Sequence, residues 1–336
     1  MNHIVLLTFD YELFLGESGT VENCLIKPTN LLLEVLNQNN AHGTFFIDVT
    51  FLLRLIEVGN SRQFSLIKAQ IQDMVRGGHE IGLHIHPHWV DAEYQEDGET
   101  WIFKDFTKYK ISNCPQIILT ELFDKGTALL NKIAQEVVPG YEVKTFRAGG
   151  WCADPFTSIS EHLRRNGIFI DASVIPYRKL AGNTISSFDY SDIRASKPYR
   201  FNNNLHEEEN DGTFIEIPLS TYKVSPFVQF KSFFKRRFSN STSTMKRFGD
   251  GKSVFDVESN TDFHRYTKYF TWTRSYYSCD SCNELMINRI KNEEKELITI
   301  VSHPKCLSLE SLSVISKIVS MTGNQHMSIR DYLSSI

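Results

Sequence analysis

Three histidines at alternate positions, His84, His86 and His88, form a candidate metal-binding motif in this 336-residue sequence. Neutral imidazole is a good ligand for zinc, iron and nickel, so the cluster indicates a metal site. A continuing strand would place all three side chains on one face, but Pro87 disfavours such a strand. We therefore expect the chain to turn at Pro87, which would bring His84 and His88 to one ion.

Two carboxylates, Asp10 and Glu12, follow the first predicted strand, with Tyr11 between them. In metal-assisted hydrolysis, one carboxylate can bind the cation while another takes a proton from the attacking water. The pair therefore suits a hydrolytic site. The simpler alternative is a turn at the end of the strand, capped by Asp10.

Later predicted strands also end in reactive residues. Arg147 would hold a carboxylate in a bidentate grip, although a surface ion pair is the simpler interpretation. His303 would be a good proton donor if an acidic residue such as Asp171 raised its pKa. Functional groups collect at the carboxyl ends of strands in parallel α/β proteins, so we expect these residues to meet at one edge.

Strands and helices alternate along the chain, which predicts an α/β fold with mostly parallel strands. The predicted strands are Ile4–Phe9, Gly43–Val49, Glu80–Ile85, Val143–Phe146, Ile168–Ile170 and Leu297–Ser302. The predicted helices are Pro28–Leu36, Ser65–Val75, Pro115–Val138, Pro155–Asn166 and Leu309–Met321.

Charge and hydropathy exclude several classes of protein. The net charge of −4, from 36 basic and 40 acidic residues, provides no basic field for nucleic acid. No apolar run approaches the ~18 residues of a membrane span, and the N-terminus lacks the features of a signal peptide. We predict a cytoplasmic protein with reduced cysteines, in which Cys279-Asp-Ser-Cys282 is an ordinary loop rather than a metal or redox site.

Two segments interrupt the alternation, a polar one at about 183–212 and a basic, phenylalanine-rich one at about 225–262. We interpret both as insertions in a single domain that spans 1–336. Phe227 and Phe230 fall near one helical face of the second segment, with Lys231 and Lys235 near another. This composition is that of an interfacial membrane helix, or of an amphipathic helix that covers the core. The first alternative predicts peripheral contact with the inner membrane through 225–252.

The order of these motifs resembles the polysaccharide deacetylase family, also called the NodB-homology or carbohydrate esterase family 4 proteins. Thr8-Phe9-Asp10-Tyr11-Glu12 is similar to the family's Thr-Phe-Asp-Asp motif, and Gly43-Thr-Phe-Phe-Ile to its Ala-Thr-Phe-Phe strand. The remaining similarities are Gly78-His-Glu-Ile-Gly-Leu-His84-Ile-His-Pro-His88, Arg147-Ala-Gly-Gly-Trp151, Asp171-Ala-Ser-Val and Ser302-His303-Pro304. The form His-x-His-Pro-x-Trp resembles the WbmS-like subgroup, which is associated with bacterial surface polysaccharides.

The resemblance implies a distorted (β/α) barrel of about seven strands, NodB-like, with insertions. It also implies that Asp10 is the base, oriented by Arg147, and that His303 is the acid. Because Tyr11 stands where the family usually has its second Asp, we assign the ligand role to Glu12, as in the family's Asp-x-Glu variants.

One divalent metal is implied, with zinc as the first choice and nickel, cobalt or iron as alternatives. Its ligands would be Glu12, His84 and His88, with His86 as the alternative second histidine. Trp89, Trp151 and Tyr11 are expected to contact the sugar, although plain core packing would also account for the tryptophans.

The function implied is a metal-dependent hydrolase that removes an N-acetyl group from a sugar in surface polysaccharide biosynthesis. Its substrate would be an N-acetylated sugar, in lipid-linked or nucleotide-linked form. One alternative is another metal-dependent amidohydrolase, although such proteins usually carry their His-x-His pair on the first strand. The other is a catalytically inactive sugar-binding protein of the same fold.

Overall fold

A nine-stranded sheet forms the centre of the fold. The computed structural model describes residues 2–180, 185–226, 246–255, 272–280 and 284–336. The strands are β1 (Ile4–Tyr11), β2 (Gly16–Glu17), β3 (Thr44–Asp48), β4 (Glu80–Ile85), β5 (Glu93–Gln95), β6 (Thr100–Ile102), β7 (Thr145–Ala148), β8 (Ile170–Asp171), β9 (Lys179–Leu180), β10 (Phe188–Asp189), β11 (Tyr199–Phe201), β12 (Phe214–Glu216), β13 (Thr221–Val224), β14 (Lys252–Ser253), β15 (Thr273–Tyr276), β16 (Leu297–Ser302) and β17 (Gln325–Met327).

The strands of the central sheet run in the order β11-β12-β8-β7-β4-β3-β1-β16, with β17 also paired to β1. The strand pairs of this sheet are parallel except for β11 with β12. The sheet curls into a half-barrel and stays open between β11 and β16 within the described ranges. The predicted α/β fold is therefore confirmed. Strands β3, β4 and β16 are buried along their whole length, which explains their near-continuous apolar sequences.

Helices pack on the sheet between successive strands. They are α1 (Lys27–Gln38), α2 (Val49–Glu57), α3 (Ser61–Arg76), α4 (Gln116–Gln135), α5 (Ser160–Arg165), α6 (Glu284–Lys291), α7 (Leu309–Val319) and α8 (Ile329–Ser335). Local sequence sets several of their boundaries. Asp48 ends β3 and caps α2 by accepting from the backbone N–H of Phe51, and Ser308 caps α7 in the same way through Ser311.

The polar segment at 183–212 is partly built into the sheet, because Tyr199–Phe201 forms β11 and pairs with β12. A two-stranded ribbon of β13 and β15 follows, and Ser278 just beyond it bridges to Val301 of β16. The residues proposed for the amphipathic face, Phe227 to Arg237, lie outside the described residues. Among the helices that the structure describes, none is long and apolar enough to cross a membrane.

Candidate functional site

The carboxyl edge of the sheet brings the predicted reactive residues together. Asp10 is the next-to-last residue of β1, and Glu12 is the first residue after that strand. On β4, His84 stands beside Asp48 of β3 and Arg147 of β7 in the strand register. His303 follows the end of β16, which pairs with β1. Adjacent parallel strands thus present their last side chains to one buried space.

Glu12, His84 and His86 form a cluster whose ligand atoms all lie within 4.8 Å of one another. Glu12 Oε2 is 3.2 Å from His84 Nε2 and also contacts His86 Nε2. All three residues are buried. One carboxylate oxygen and two imidazole nitrogens are a ligand set that suits zinc and neighbouring divalent metals.

The surroundings of the two histidines direct one nitrogen of each ring to Glu12. His84 Nδ1 donates to the Arg147 carbonyl oxygen at 2.7 Å, which fixes the ring with Nε2 turned to Glu12. His86 Nε2 contacts Glu12 Oε2, and its buried Nδ1 has no hydrogen-bond partner in the described residues. Gly149 leaves room for this ring, because a Cβ there would come within 2.5 Å of His86 Nδ1. Two buried imidazole nitrogens directed at one carboxylate oxygen are what a metal site would show, so these residues fit the implied metal.

His88 lies outside this cluster. Pro87 begins a short 3₁₀ turn, and the His88 ring packs against Trp89, Phe103 and Tyr109. Burial, followed by the neighbouring His86, holds the pKa of His88 well below its usual value. The structure therefore places His86, the alternative in the sequence-based ligand set, beside Glu12 and His84.

Lys305 supplies a buried cation beside the cluster. Its Nζ donates to Glu12 Oε1 at 2.7 Å and to the Leu13 carbonyl oxygen at 2.8 Å. Burial raises the pKa of Glu12, but the Lys305 ammonium and the two histidines outweigh it and hold that pKa well below its usual value. Glu12 is thus an anion that turns Oε1 to lysine and Oε2 to the histidines.

Asp10 is held by a fully buried arginine. Arg147 Nη1 donates to Asp10 Oδ1 at 2.6 Å, while its other nitrogens donate to the Ala172 carbonyl and to Thr8 Oγ1. The guanidinium also lies 4.2 Å from the centre of the Phe46 ring. These contacts fix the carboxylate and leave Oδ2 directed to the space beside His303.

His303 lies beside Asp10, near the end of β1, and Glu12, just after it. Its Nε2 is 3.6 Å from Asp10 Oδ2 and 3.7 Å from Glu12 Oε1. Its Nδ1 donates to Asp280 Oδ2 at 2.7 Å. Burial alone would lower the pKa of His303, but Asp280, with help from Asp10 and Glu12, raises it to about 9. The ring is therefore protonated at neutral pH, as a proton donor must be.

The acidic partner of His303 is Asp280, in place of the expected Asp171. The Asp171 carboxylate accepts from Ser173 Oγ at 2.6 Å and lies beside Glu216 under Arg147. Burial raises the pKa of both carboxyl groups, most strongly that of Glu216. Asp171 Oδ2 and Glu216 Oε2 have no donor in the described structure, so a single proton held between them would satisfy both.

The three aromatic residues expected to contact sugar take different positions. Trp151 is partly exposed, has a left-handed φ of 58°, and sets its ring edge-to-face against His303 with centroids 6.0 Å apart. Trp89 is 1% exposed and packs against Phe51 and Phe103 in the core. Tyr11 is also buried and donates its hydroxyl to Gln70 of α3. In place of the expected sugar contacts, Trp89 and Tyr11 thus support the walls of the site.

Sequence reasoning missed three charged residues of the site: Asp48, Asp280 and Lys305. Asp48 is buried at the end of β3, and its Oδ2 has no hydrogen-bond partner in the described residues. Its burial raises its pKa to about 6. Asp48, like Asp10, lies near the carboxyl end of a predicted strand, where functional groups collect, so it could have been predicted from the sequence. Asp280 follows no predicted strand, and Lys305 lies beyond Pro304, where no motif marks it.

No protein-family profile and no curated protein sequence matches the chain. Among solved structures, it is similar to a family 4 carbohydrate esterase from Streptomyces lividans in complex with acetate, at 11% identity and a TM-score of 0.42, over 96% of this chain and 91% of that one. A peptidoglycan deacetylase from Bacillus subtilis has 12% identity and a TM-score of 0.41, over 99% and 91%. A 4-alpha-glucanotransferase from Thermococcus litoralis has 12% identity and a TM-score of 0.50, over 100% of this chain and 41% of that one. At these identities the similarity concerns the fold alone.

Proposed function

We propose that the chain is a metal-dependent hydrolase that removes the acetyl group from an N-acetyl sugar. One observation carries the proposal: a fixed carboxylate, Asp10, and a protonated imidazole, His303, face each other beside the cluster of Glu12, His84 and His86. Amide hydrolysis needs a base for the attacking water and an acid for the leaving nitrogen, and these two side chains meet both needs. The motif resemblance in the sequence points to the same reaction.

Glu12, His84 and His86 would hold the divalent cation. When bound, the cation supplies Lewis-acid chemistry, which polarises the acetyl carbonyl and lowers the pKa of a water. Lys305 keeps one oxygen of Glu12 occupied, so Glu12 offers its other oxygen as a ligand.

The proton transfers follow from the two hydrogen-bonded pairs. Asp10, held by Arg147, accepts a proton from the water while the water oxygen attacks the acetyl carbon. His303 then gives its Nε2 proton to the sugar nitrogen as the C–N bond breaks, which releases acetate and a free amine. Asp280 holds the Nδ1 proton throughout and stabilises the charged ring. Transfer of the proton from Asp10 to His303 Nε2, 3.6 Å away, resets the site.

The substrate and its setting are part of the proposal. We assign the chain to bacterial surface polysaccharide biosynthesis in the cytoplasm, as a WbmS-like deacetylase with zinc as its metal. Trp151 is the partly exposed aromatic ring beside His303 and is placed to stack on the sugar. Contact of residues 225–252 with the inner membrane would bring a lipid-linked sugar to this site.

Metal analysis of the purified protein, coupled to acetate release from a panel of N-acetyl sugars, tests the function. We expect close to one divalent ion per chain, and acetate release that a chelator stops and added metal restores. Sugar binding with full metal occupancy but no acetate from any substrate would support an inactive binding protein instead. Acetate release that withstands complete removal of the metal would contradict the metal-dependent mechanism.

A further inference from the structure

Three arginines surround two tyrosines next to the candidate active site: Arg178, Arg194 and Arg274, which we call the arginine cluster. The Arg274 guanidinium lies 3.6 Å from the centre of the Tyr177 ring, and that of Arg194 lies 4.7 Å from it. Arg178 is 5.9 Å from the Tyr276 ring and donates to the Arg274 carbonyl at 3.3 Å. The two rings hold the guanidinium groups close together at the protein surface.

Ring contacts connect this cluster to the acid of the proposed reaction. The centre of the Trp151 ring is 6.0 Å from that of His303 and 5.7 Å from that of Tyr276, and Tyr276 is the ring beside Arg178. Arg274 and Tyr276 alternate with Ser275 on β15, so both side chains leave the same face of the ribbon. A molecule that reached His303 past Trp151 would therefore extend toward the arginine cluster.

No acidic side chain among the described residues neutralises the charges of the cluster. Arg178, Arg194 and Arg274 form no ion pair with any described residue; their bonds go to carbonyl and hydroxyl oxygens. The neighbouring acids have other partners, because Asp189 pairs with Lys179 and Asp192 with His206. Arg178 and Arg194 are exposed and Arg274 is half-buried. Each guanidinium has five N–H donors, and most of these donors have no partner among the described residues.

The backbone at Tyr177 is strained in a way that maintains this arrangement. Tyr177 has a φ of 64°, a left-handed conformation that is uncommon for a residue with a side chain. Its N–H donates to the Ile193 carbonyl, next to Arg194. Strained backbone in an ordered structure gathers at binding and catalytic sites, and here it seats the ring between two guanidinium groups.

We propose that the arginine cluster binds a phosphate or diphosphate group attached to the sugar, so that the enzyme acts on an activated, carrier-linked N-acetyl sugar. Guanidinium groups match phosphate oxygens in paired hydrogen bonds, and aromatic faces orient them. Three positive charges that no described acidic residue compensates exceed what a neutral sugar needs and suit a dianionic diphosphate. A nucleotide or a polyprenyl lipid would supply the same diphosphate. This inference rests on the proposed function for the position of the sugar.

Calorimetric titration of the purified protein tests the inference by binding alone, without turnover. The probes are N-acetylglucosamine, inorganic pyrophosphate, uridine diphosphate N-acetylglucosamine, and vesicles that carry polyprenyl diphosphate N-acetylglucosamine. The test variant combines Arg178→Gln, Arg194→Gln and Arg274→Gln. The matched control is Arg289→Gln, which also removes a guanidinium stacked on a tyrosine, Tyr222, from the other face of the same ribbon. All three proteins keep the metal-site residues, so any phosphate bound by the metal contributes equally.

We expect pyrophosphate to bind the parent protein, and at least one diphosphate sugar to bind about tenfold or more tighter than the free sugar. The triple variant should lose about tenfold or more of that affinity, and the control should stay within about twofold. Preference for the nucleotide or the vesicle identifies the carrier.

Two results would overturn the inference: diphosphate sugars that bind no tighter than N-acetylglucosamine, or equal affinities in the triple variant and the control. If acetate is released while either result holds, the inference fails alone. Arginine-dependent binding without acetate release from any substrate would contradict the proposed hydrolase function and still support the anion-binding site.

Discussion

Asp280 contacts His303 at two points, through the ring and through the backbone. Its Oδ2 accepts from His303 Nδ1 at 2.7 Å, and its Oδ1 accepts from the His303 backbone N–H at 2.7 Å and from Ser302 Oγ at 2.8 Å. The carboxylate thus sets both the protonation and the direction of the ring. Cys279 N–H donates to the Val301 carbonyl, so the segment that carries Asp280 is fixed along the end of β16.

The first prediction concerns Asp280→Asn. Asp280 raises the pKa of His303 to about 9, so its neutral replacement should lower that pKa. The acid works when protonated, and activity is lost as pH rises through its pKa. The alkaline limb of kcat/KM should therefore move to lower pH, and activity at pH 8 should fall by about 10²-fold.

Asp189→Asn is the matched control, because Asp189 is a surface carboxylate paired with Lys179. It should leave the pH profile unchanged. A loss of rate in Asp280→Asn at every pH, with the alkaline limb in place, would contradict a role for Asp280 through the His303 proton.

The second prediction concerns Asp10→Asn and His303→Ala. Asp10 would lose its ability to accept the proton of water, and His303 its ability to protonate the leaving nitrogen. Acid and base groups contribute about 10²–10⁴-fold each, so we expect losses of that size with the metal content unchanged. Acetate release and elemental analysis on the same samples check both statements. Activity within about threefold of the parent would remove the role of the residue concerned.

The third prediction separates His86 from His88. We expect His86→Ala and His84→Ala to weaken cobalt binding by about 100-fold or more, because each removes a nitrogen beside Glu12 Oε2. His88→Ala should bind cobalt within about threefold of the parent, since its ring packs among Trp89, Phe103 and Tyr109. Visible absorption of the cobalt-loaded protein gives the readout. The reverse pattern would restore the ligand set expected from the sequence, Glu12, His84 and His88.

Much of the fold could be predicted from the sequence because most strands and helices are separated by glycine, proline or capping residues. Helix α2 was missed, because the apolar run from Phe45 continues through Leu55 and only Asp48 marks the boundary between strand and helix. Strands β12 and β17 were missed because each has only three residues. A pattern of period two needs more residues than that to be visible.

The site was predictable where its residues end a regular strand, as Asp10, His84 and Arg147 do. It was not predictable where contacts span long separations in the chain. Lys305 contacts Glu12 although the two residues are 293 positions apart in the sequence, and no motif near Lys305 indicates that contact. Asp280 lies in the Cys279–Cys282 segment, whose cysteine spacing predicts only an ordinary loop and no role for the carboxylate.

The fourth prediction concerns Lys305→Met, which leaves the buried Glu12 carboxylate without its ammonium partner. Removal of one member of a buried ion pair costs about 3–5 kcal/mol, so the metal-free protein should lose stability of that order. Excess zinc should restore part of the loss, because a second cation would again compensate Glu12. Lys252→Met is the control, since the Lys252–Glu17 pair is exposed and should contribute at most about 1 kcal/mol. Chemical denaturation with and without zinc measures both. Equal losses in the two variants would contradict a buried, charged pair at Glu12.

The fifth prediction concerns acid stability and two histidines at the edge of the sheet opposite the site, His79 and His326. His79 Nδ1 accepts from the Gly43 N–H and its Nε2 contacts Asn37 Oδ1, so the neutral ring satisfies both neighbours. Burial, with His42 as a smaller cause for His79, lowers the pKa of each ring to about 4. In the unfolded chain the two imidazole rings become protonated near pH 6.5, whereas in the folded chain they become protonated only near pH 4. The free energy of unfolding should therefore be unaffected by these rings above pH 6.5 and fall as the pH drops from 6.5 to 4, by at most about 3 kcal/mol per histidine.

The double variant His79→Gln and His326→Gln cannot take up these protons, so its free energy of unfolding should change less between pH 7 and pH 4.5 than that of the parent. Urea denaturation at the two pH values decides the matter, and an equal acid loss in parent and variant would assign the pH dependence to other groups.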